Sequence, residues 1–183
     1  MVVWIILVIV AILIIAIISI YNGLVKLKVK VDNAWSQIDV QLQRRFDLIP
    51  NFVETVKGYM NHEEATFEKI ASLRTSWANS KTISEKAELD GQLSTALKTI
   101  MAVSENYPEL KANQNFSELS EELRNTENKI SFSRQFYNDI VTMYNTKIQV
   151  FPSNIIASMF NFTARDLFKA ESDEVRKNVK VDF

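Results

Sequence analysis

Apolar positions along this chain fall into two regimes that meet near residue 20. From Val2 to Ile18 every residue is apolar, Ser19 interrupts once, and Ile20 closes the run. At 1.5 Å per residue that stretch reaches about 29 Å as a helix, close to the hydrocarbon thickness of a bilayer. After it, apolar residues recur every three or four positions, the period of helices that bury one face. Leu24, Leu27, Val31, Ala34, Ile38, Gln41, Arg45 and Leu48 make the first such seam. It reads as a helix continuing out of the apolar run, with Gly23 as a soft point at the exit. Asp47 is placed to cap a new helix, with Pro50 tolerated in its first turn. A continuous, kinked helix is the alternative there.

A second seam runs Val53, Val56, Met60, Glu63, Phe67, Ile70, Arg74 and Trp77, fraying near Asn79-Ser80-Lys81. Thr82 and Glu85 form the T-x-x-E pattern of a capping box. The helix they open carries Leu89, Leu93, Ala96, Ile100 and Val103, and Tyr107-Pro108 ends it. Residues 111–114 read as a loop, and Asn115 with Glu118 as a second cap-like pair. Leu119, Leu123, Thr126, Ile130, Ser133, Tyr137, Ile140, Tyr144 and Ile148 then alternate steps of four and three. This last long helix should reach Val150 or Phe151, roughly 50 Å. A period near 3.5 also suits an intermolecular coiled coil, but modest loops favour packing within one chain.

The expected fold class is therefore all-α. An N-terminal transmembrane helix (1–20) continues into an antiparallel bundle of about four long helices (21–151). A short amphipathic helix and an extended tail follow (152–183). In that last part Ile155, Ile156, Met159 and Phe160 fall on one face, followed by Phe162, Leu167 and Phe168. The face either folds back over the end of the bundle or stays exposed for a partner or a membrane. Val179 to Phe183 alternate like a strand without a visible mate.

Charge then orients the apolar run. A cleaved signal peptide wants basic residues ahead of a shorter apolar core and small residues at the cleavage site, and neither pattern is met. A lipid anchor needs a cysteine, of which there are none. A soluble core helix would keep a polar face. A retained span is the reading left, and Lys26, Lys28 and Lys30 directly after it put that side in the cytoplasm. Trp4 and Tyr21 lie near the two ends, where aromatic rings favour the interface.

All 21 basic and 22 acidic residues follow the span, a net charge of −1. That balance excludes nucleic acid as the main partner, because phosphate binding needs a basic field. Three glycines and three prolines in 183 residues agree with long, unpunctuated helices. Without cysteine there are no thiolate metal sites or thiol nucleophiles.

Catalytic patterns are equally missing. His62, the sole histidine, sits in H-E-E-A-T without the second histidine of a zinc-protease motif. No di-iron E-x-x-H pair, nucleophile elbow or phosphate loop occurs. No enzyme activity, cofactor or metal is expected. What stands out is a polar stripe beside the seam of the last long helix: Glu127, Ser131, Arg134, Asn138 and Asn145. Asp32 and Asp39 flank the first seam, and Arg45 lies within it. Pairing Arg134 with Asp39, or Arg45 with Glu127, would make a buried polar layer that fixes helix register more than it stabilises.

At residues 41–59, Q-L-Q-R-R-F-D-L-I-P-N-F-V-E-T-V-K-G-Y, the chain resembles the LemA family of bacterial membrane proteins. Tyr21-Asn22, the A-W-S-Q-I-D-V run from Ala34, His62-Glu63, Tyr107-Pro108-Glu109-Leu110-Lys111-Ala112, Thr126-Glu127-Asn128, Arg134 with Tyr137-Asn138, Tyr144-Asn145 and Phe151-Pro152 extend the likeness. The resemblance implies a membrane-anchored helical domain, with Arg44, Arg45, Asp47, Pro50 and Asn51 as signature positions of structural character. Relatives are often lipidated at a cysteine near the end of the apolar run, where this chain has Ser19-Ile20-Tyr21. The family is linked to envelope processes and membrane-bound organelles, without a defined chemistry. The expected protein is a single-pass scaffold or adaptor of the bacterial inner membrane. Its partners would be the lipid bilayer, further copies of itself, or another membrane protein that it regulates, such as a protease or transporter.

Overall fold

The computed structural model describes residues 1–60 and 63–169. It contains α1 (Val2–Lys57), α2 (Glu64–Asn79), α3 (Ile83–Ser104), α4 (Pro108–Lys111), α5 (Gln114–Gln149) and α6 (Ser153–Met159). No strand occurs among the described residues. His62 and the 179–183 tail lie outside them.

α1 is one helix of 56 residues, the continuous alternative at Pro50 and not a new helix capped by Asp47. It passes Gly23 without a break and runs through Pro50. Asp47 caps nothing: its Oδ1 accepts a bond from Gln43 Nε2 one turn back at 2.9 Å. An internal proline lacks an amide donor and crowds the carbonyl four residues earlier, a cost of about 3 kcal/mol. Phe46, Ile49, Phe52 and Val56, on both sides of Pro50, are at most 2% exposed. Burying each contributes roughly 1.5–3 kcal/mol, so their shared face outweighs the local penalty and holds the helix together. The start of the second expected helix thus belongs to α1, and α2 begins only at Glu64.

Contacts group the chain into two units, and the division falls inside both long helices. Of the described residues, one unit comprises 1–38 with 133–167; the other comprises 39–60 and 63–132 with 168 and 169. In the first unit, α1 and α5 run antiparallel. Trp35 meets the Tyr137 ring edge-on at 5.9 Å, while eleven residues earlier on α1 Leu24 lies in a cluster with Ile148, Ile156 and Ala157. The second unit is a four-helix core. Phe46 of α1 stacks on Trp77 of α2 at 4.4 Å, and Phe52 stacks on Phe116 of α5 at 5.8 Å. Leu93 and Ile100 of α3 are fully buried.

Caps explain where the helices start and stop. Thr82 accepts from Glu85 N at 3.1 Å, and the Glu85 carboxylate accepts from Thr82 N at 3.0 Å, completing the expected box. The Lys81 amide, at 2.9 Å, and the Thr82 amide both donate to the exposed Glu85 carboxyl and hold it below its usual range. The cap of α5 sits earlier than its sequence suggested: Asn113 Oδ1, not Asn115, accepts from Phe116 N at 3.1 Å. On α2 the inward position is Leu73, and its neighbour Arg74 faces water.

Candidate functional site

Two arrangements concentrate the polar chemistry of the protein. The first is in the unit built on residues 39–132. Arg45 projects from α1 into the interior, with its side chain 3% exposed. Its Nη1 donates to Asp90 Oδ1 on α3 at 2.7 Å and to Ser94 Oγ at 2.9 Å. Glu127 Oε2 on α5 stands 2.6 Å from the same nitrogen and also accepts from Ser94 Oγ at 3.2 Å. Three helices are thereby locked at one level. Arg45 Nε is buried without a hydrogen-bond partner, so the guanidinium is not fully satisfied.

Around this centre lie weaker pairs. Arg44 pairs with Glu122. Asp39 receives Lys86 rather than an arginine, and the Lys86 ammonium also lies 4.9 Å from the Trp77 ring centre. An open, shallow depression is lined by Asn51, Glu54, Thr55, Asn115, Glu118, Leu119 and Glu122. No group of three or more acidic or histidine residues able to hold a metal occurs among the described residues. A cluster of this kind can fix register and geometry; it presents no nucleophile to a cleft.

The second arrangement, in the unit of residues 1–38 and 133–167, is a clasp. The chain leaving α6 runs extended beside α5 and is held through its backbone. Tyr144 Oη donates to Thr163 O at 3.0 Å, and Tyr137 Oη donates to Asp166 O at 2.8 Å. Asn145 reads Arg165 twice: Nδ2 donates to its carbonyl at 2.8 Å, and Oδ1 accepts from its amide at 2.9 Å. The Arg165 guanidinium bonds Asp32 Oδ1 on α1 at 3.2 Å. Burial pushes the Tyr137 phenol up to about 12, against a downward pull from Arg165. Burial likewise raises Tyr144.

Above the clasp in sequence, α6 packs against the exit of the apolar run. Ile20, Tyr21, Ile148 and Phe162 surround the buried cluster of Leu24, Ile156 and Ala157. The Tyr21 ring lies 4.7 Å from Phe160 and 5.8 Å from Phe162. The helix ends in a full Schellman motif: Asn161 adopts φ 55. Phe162 N reaches Ala157 O at 2.9 Å, and Asn161 N reaches Ser158 O. The expected single face of α6 is thus divided. Ile156 turns inward, whereas Ile155, Met159 and Phe160 remain half or more exposed. Inward packing needs the α6 residues that point at Leu24, and only Ile156 and Ala157 do.

The LemA family model matches residues 34–183. This chain belongs to the LemA family. It is 29% identical over 156 residues to Protein LemA of Metamycoplasma hominis, covering 84% of this chain and 70% of that protein. It is 25% identical over 175 residues to the magnetosome proteins MamQ 1 and MamQ 2 of Paramagnetospirillum magneticum, spanning 64% of the length of each. α1 is long and apolar enough to cross a membrane, and no residue of its most apolar stretch is buried by the rest of the chain. Trp4 is 74% exposed in that part.

With the family in hand, its signature residues separate by role. Arg45 is the buried centre of the charge layer, and Arg44 is its exposed neighbour. Asp47 bonds within the helix, Pro50 is internal to it, and Asn51 accepts Thr55 Oγ1 through its carbonyl at 2.8 Å. Of the polar stripe on α5, Glu127 joins Arg45, and Asn145 joins the clasp. The Asn138 carbonyl accepts Thr142 Oγ1 at 2.8 Å. Arg134 is half-buried. Lys26, Lys28 and Lys30 are exposed after the span. Asp90, Ser94, Lys86 and Arg165 were not singled out from the sequence. Asp90 did carry a signal, lying three residues before Leu93 and seven before Leu97, on the seam of α3.

Proposed function

We propose that this LemA-family protein is a non-enzymatic membrane scaffold: a single span holds it in the bacterial inner membrane, and its helical part faces the cytoplasm and binds further copies of itself. The observation that carries the reading is on α5, where Phe136 and Met143 are 46% and 56% exposed. A step of seven puts them on one side of the helix, and large apolar groups left together in water mark a protein-binding surface. Lys26, Lys28 and Lys30 support the cytoplasmic placement.

Light scattering of full-length protein in mild detergent tests the assembly. A defined oligomer that dissociates in the F136S/M143S variant supports the scaffold. Monomers at every concentration refute it and favour the rival role, an accessory subunit whose α5 surface waits for a different membrane protein. Orientation is tested separately. The chain has no native cysteine, so an introduced S36C reports alone. It should resist an impermeant maleimide in intact cells and react after permeabilisation.

A further inference from the structure

Charge is distributed in a way that neither the fold nor the scaffold reading uses. Before Lys26 there is no charged side chain, and between Lys147 and Arg165 there is none either. These two neutral stretches are far apart in sequence, yet the structure brings them together where Leu24 meets Ile148, Ile156 and Ala157. The nearest charges on α1 and α5, Lys26 and Lys147, are both exposed and both basic. The unit therefore has an uncharged end, continuous with the apolar run of α1 and bordered by cations.

Large apolar side chains stand out on the outer surface of that end, beside the uncharged polar groups of Asn154, Ser158 and Asn161. Phe151 is 80% exposed, Met159 65%, Ile155 51% and Phe160 50%. Their polar backbone is closed on itself by the Schellman motif, and Ser153 Oγ donates inward to Lys147 O at 2.6 Å. A short element with apolar side chains outside, satisfied backbone and cations at its border has the character of a segment that lies in the membrane interface. A second copy of the chain would not require the charge-free zone to end level with the end of the span; a bilayer does.

We infer that α6 and Phe151 enter the headgroup–acyl boundary beside the span, giving the protein a second, one-leaflet membrane contact. This rests on α1 crossing the bilayer, and Tyr21 then marks the same boundary from the span side. Phe151, Ile155, Met159 and Phe160 are the inserted groups. Lys26 and Lys147 meet the phosphates, where each cation near an anionic surface is attracted.

The test places one cysteine at a time in the full-length, otherwise cysteine-free chain, attaches an environment-sensitive fluorophore, and reconstitutes each variant in vesicles of phosphatidylcholine and phosphatidylglycerol. Lipids carrying a spin-label quencher near the headgroup or at mid-chain report depth. I155C and M159C should be quenched several-fold more by the shallow quencher than Q135C, a water-exposed site on α5. I9C should be quenched by the mid-chain lipid. Quenching of I9C without quenching at 155 and 159 overturns the inference while leaving the span intact. Absence of quenching at I9C overturns the span itself. A blue shift at 155 and 159 without lipid quenching, together with a doubled mass, assigns the face to a second copy and likewise overturns the inference.

Discussion

Removing Asp90 is the sharpest perturbation the second unit offers. Arg45 and Asp90 side chains are 3% and 4% exposed and 2.7 Å apart. At an effective dielectric of about 20, unit charges roughly 4 Å apart attract by about 4 kcal/mol. Desolvating the two ions offsets much of that gain. The pair thus adds little as a whole, while breaking it strands a buried guanidinium. D90N should cost about 3 kcal/mol, the low end for a broken buried pair, because Glu127 still stands 2.6 Å from Arg45. That corresponds to more than a hundredfold in the folding constant. E127Q should cost about 1 kcal/mol or less, because Glu127 is 40% exposed and water can replace it. The double variant R45M/D90L should return to within about 1 kcal/mol of the parent, since volume is kept and both charges leave. Chemical denaturation of the full-length protein in micelles, followed by circular dichroism, reads all four. Equal losses for D90N and E127Q, or additive losses in the double variant, would refute the argument.

Three further outcomes follow from other parts of the molecule. The Tyr137 phenol is raised in the folded state to about 12, so the unfolded chain loses that proton first. Stability is then whole below pH 10 and falls between pH 10 and about 12, read as a melting temperature that drops over that window and drops less in Y137F. In N145A the two bonds to Arg165 are gone, worth about 1 kcal/mol each, and trypsin should cut after Arg165 at least several-fold faster; unchanged cleavage would remove the clasp role. P50A restores an amide within α1 and should gain up to about 3 kcal/mol, and a lower melting temperature would mean that the ring's packing outweighs the helix penalty.

Periodicity made the helices legible because each buries one stripe, and a stripe leaves a period of three and four. The Thr82 box was readable for the same local reason, since all of its partners lie within one turn. Pro50 misled because propensity is a local quantity, whereas the helix there is held by Phe46, Ile49, Phe52 and Val56 packing on other elements. Asp90 was hidden for a related reason. A carboxylate on a seam looks like a solvated neighbour until a buried arginine arrives from a helix 45 residues away. Of the clasp, Asn145 and Asp32 stood out as polar positions beside the seams, but their mates did not: Thr163 and Asp166 take part through their carbonyls, and a carbonyl carries no side-chain identity.

The exposed side of α6 has a geometric consequence for lipid packing. A span occupies equal cross-section in both leaflets, but Phe151, Ile155 and Met159 lie at one end of it only. With α6 inserted as proposed, the protein takes more room in that leaflet than in the other. Molecules wider in one leaflet favour bending toward the wider side. This chain should accordingly partition into small vesicles over large ones of the same composition, and the preference should vanish when those three side chains are made serine.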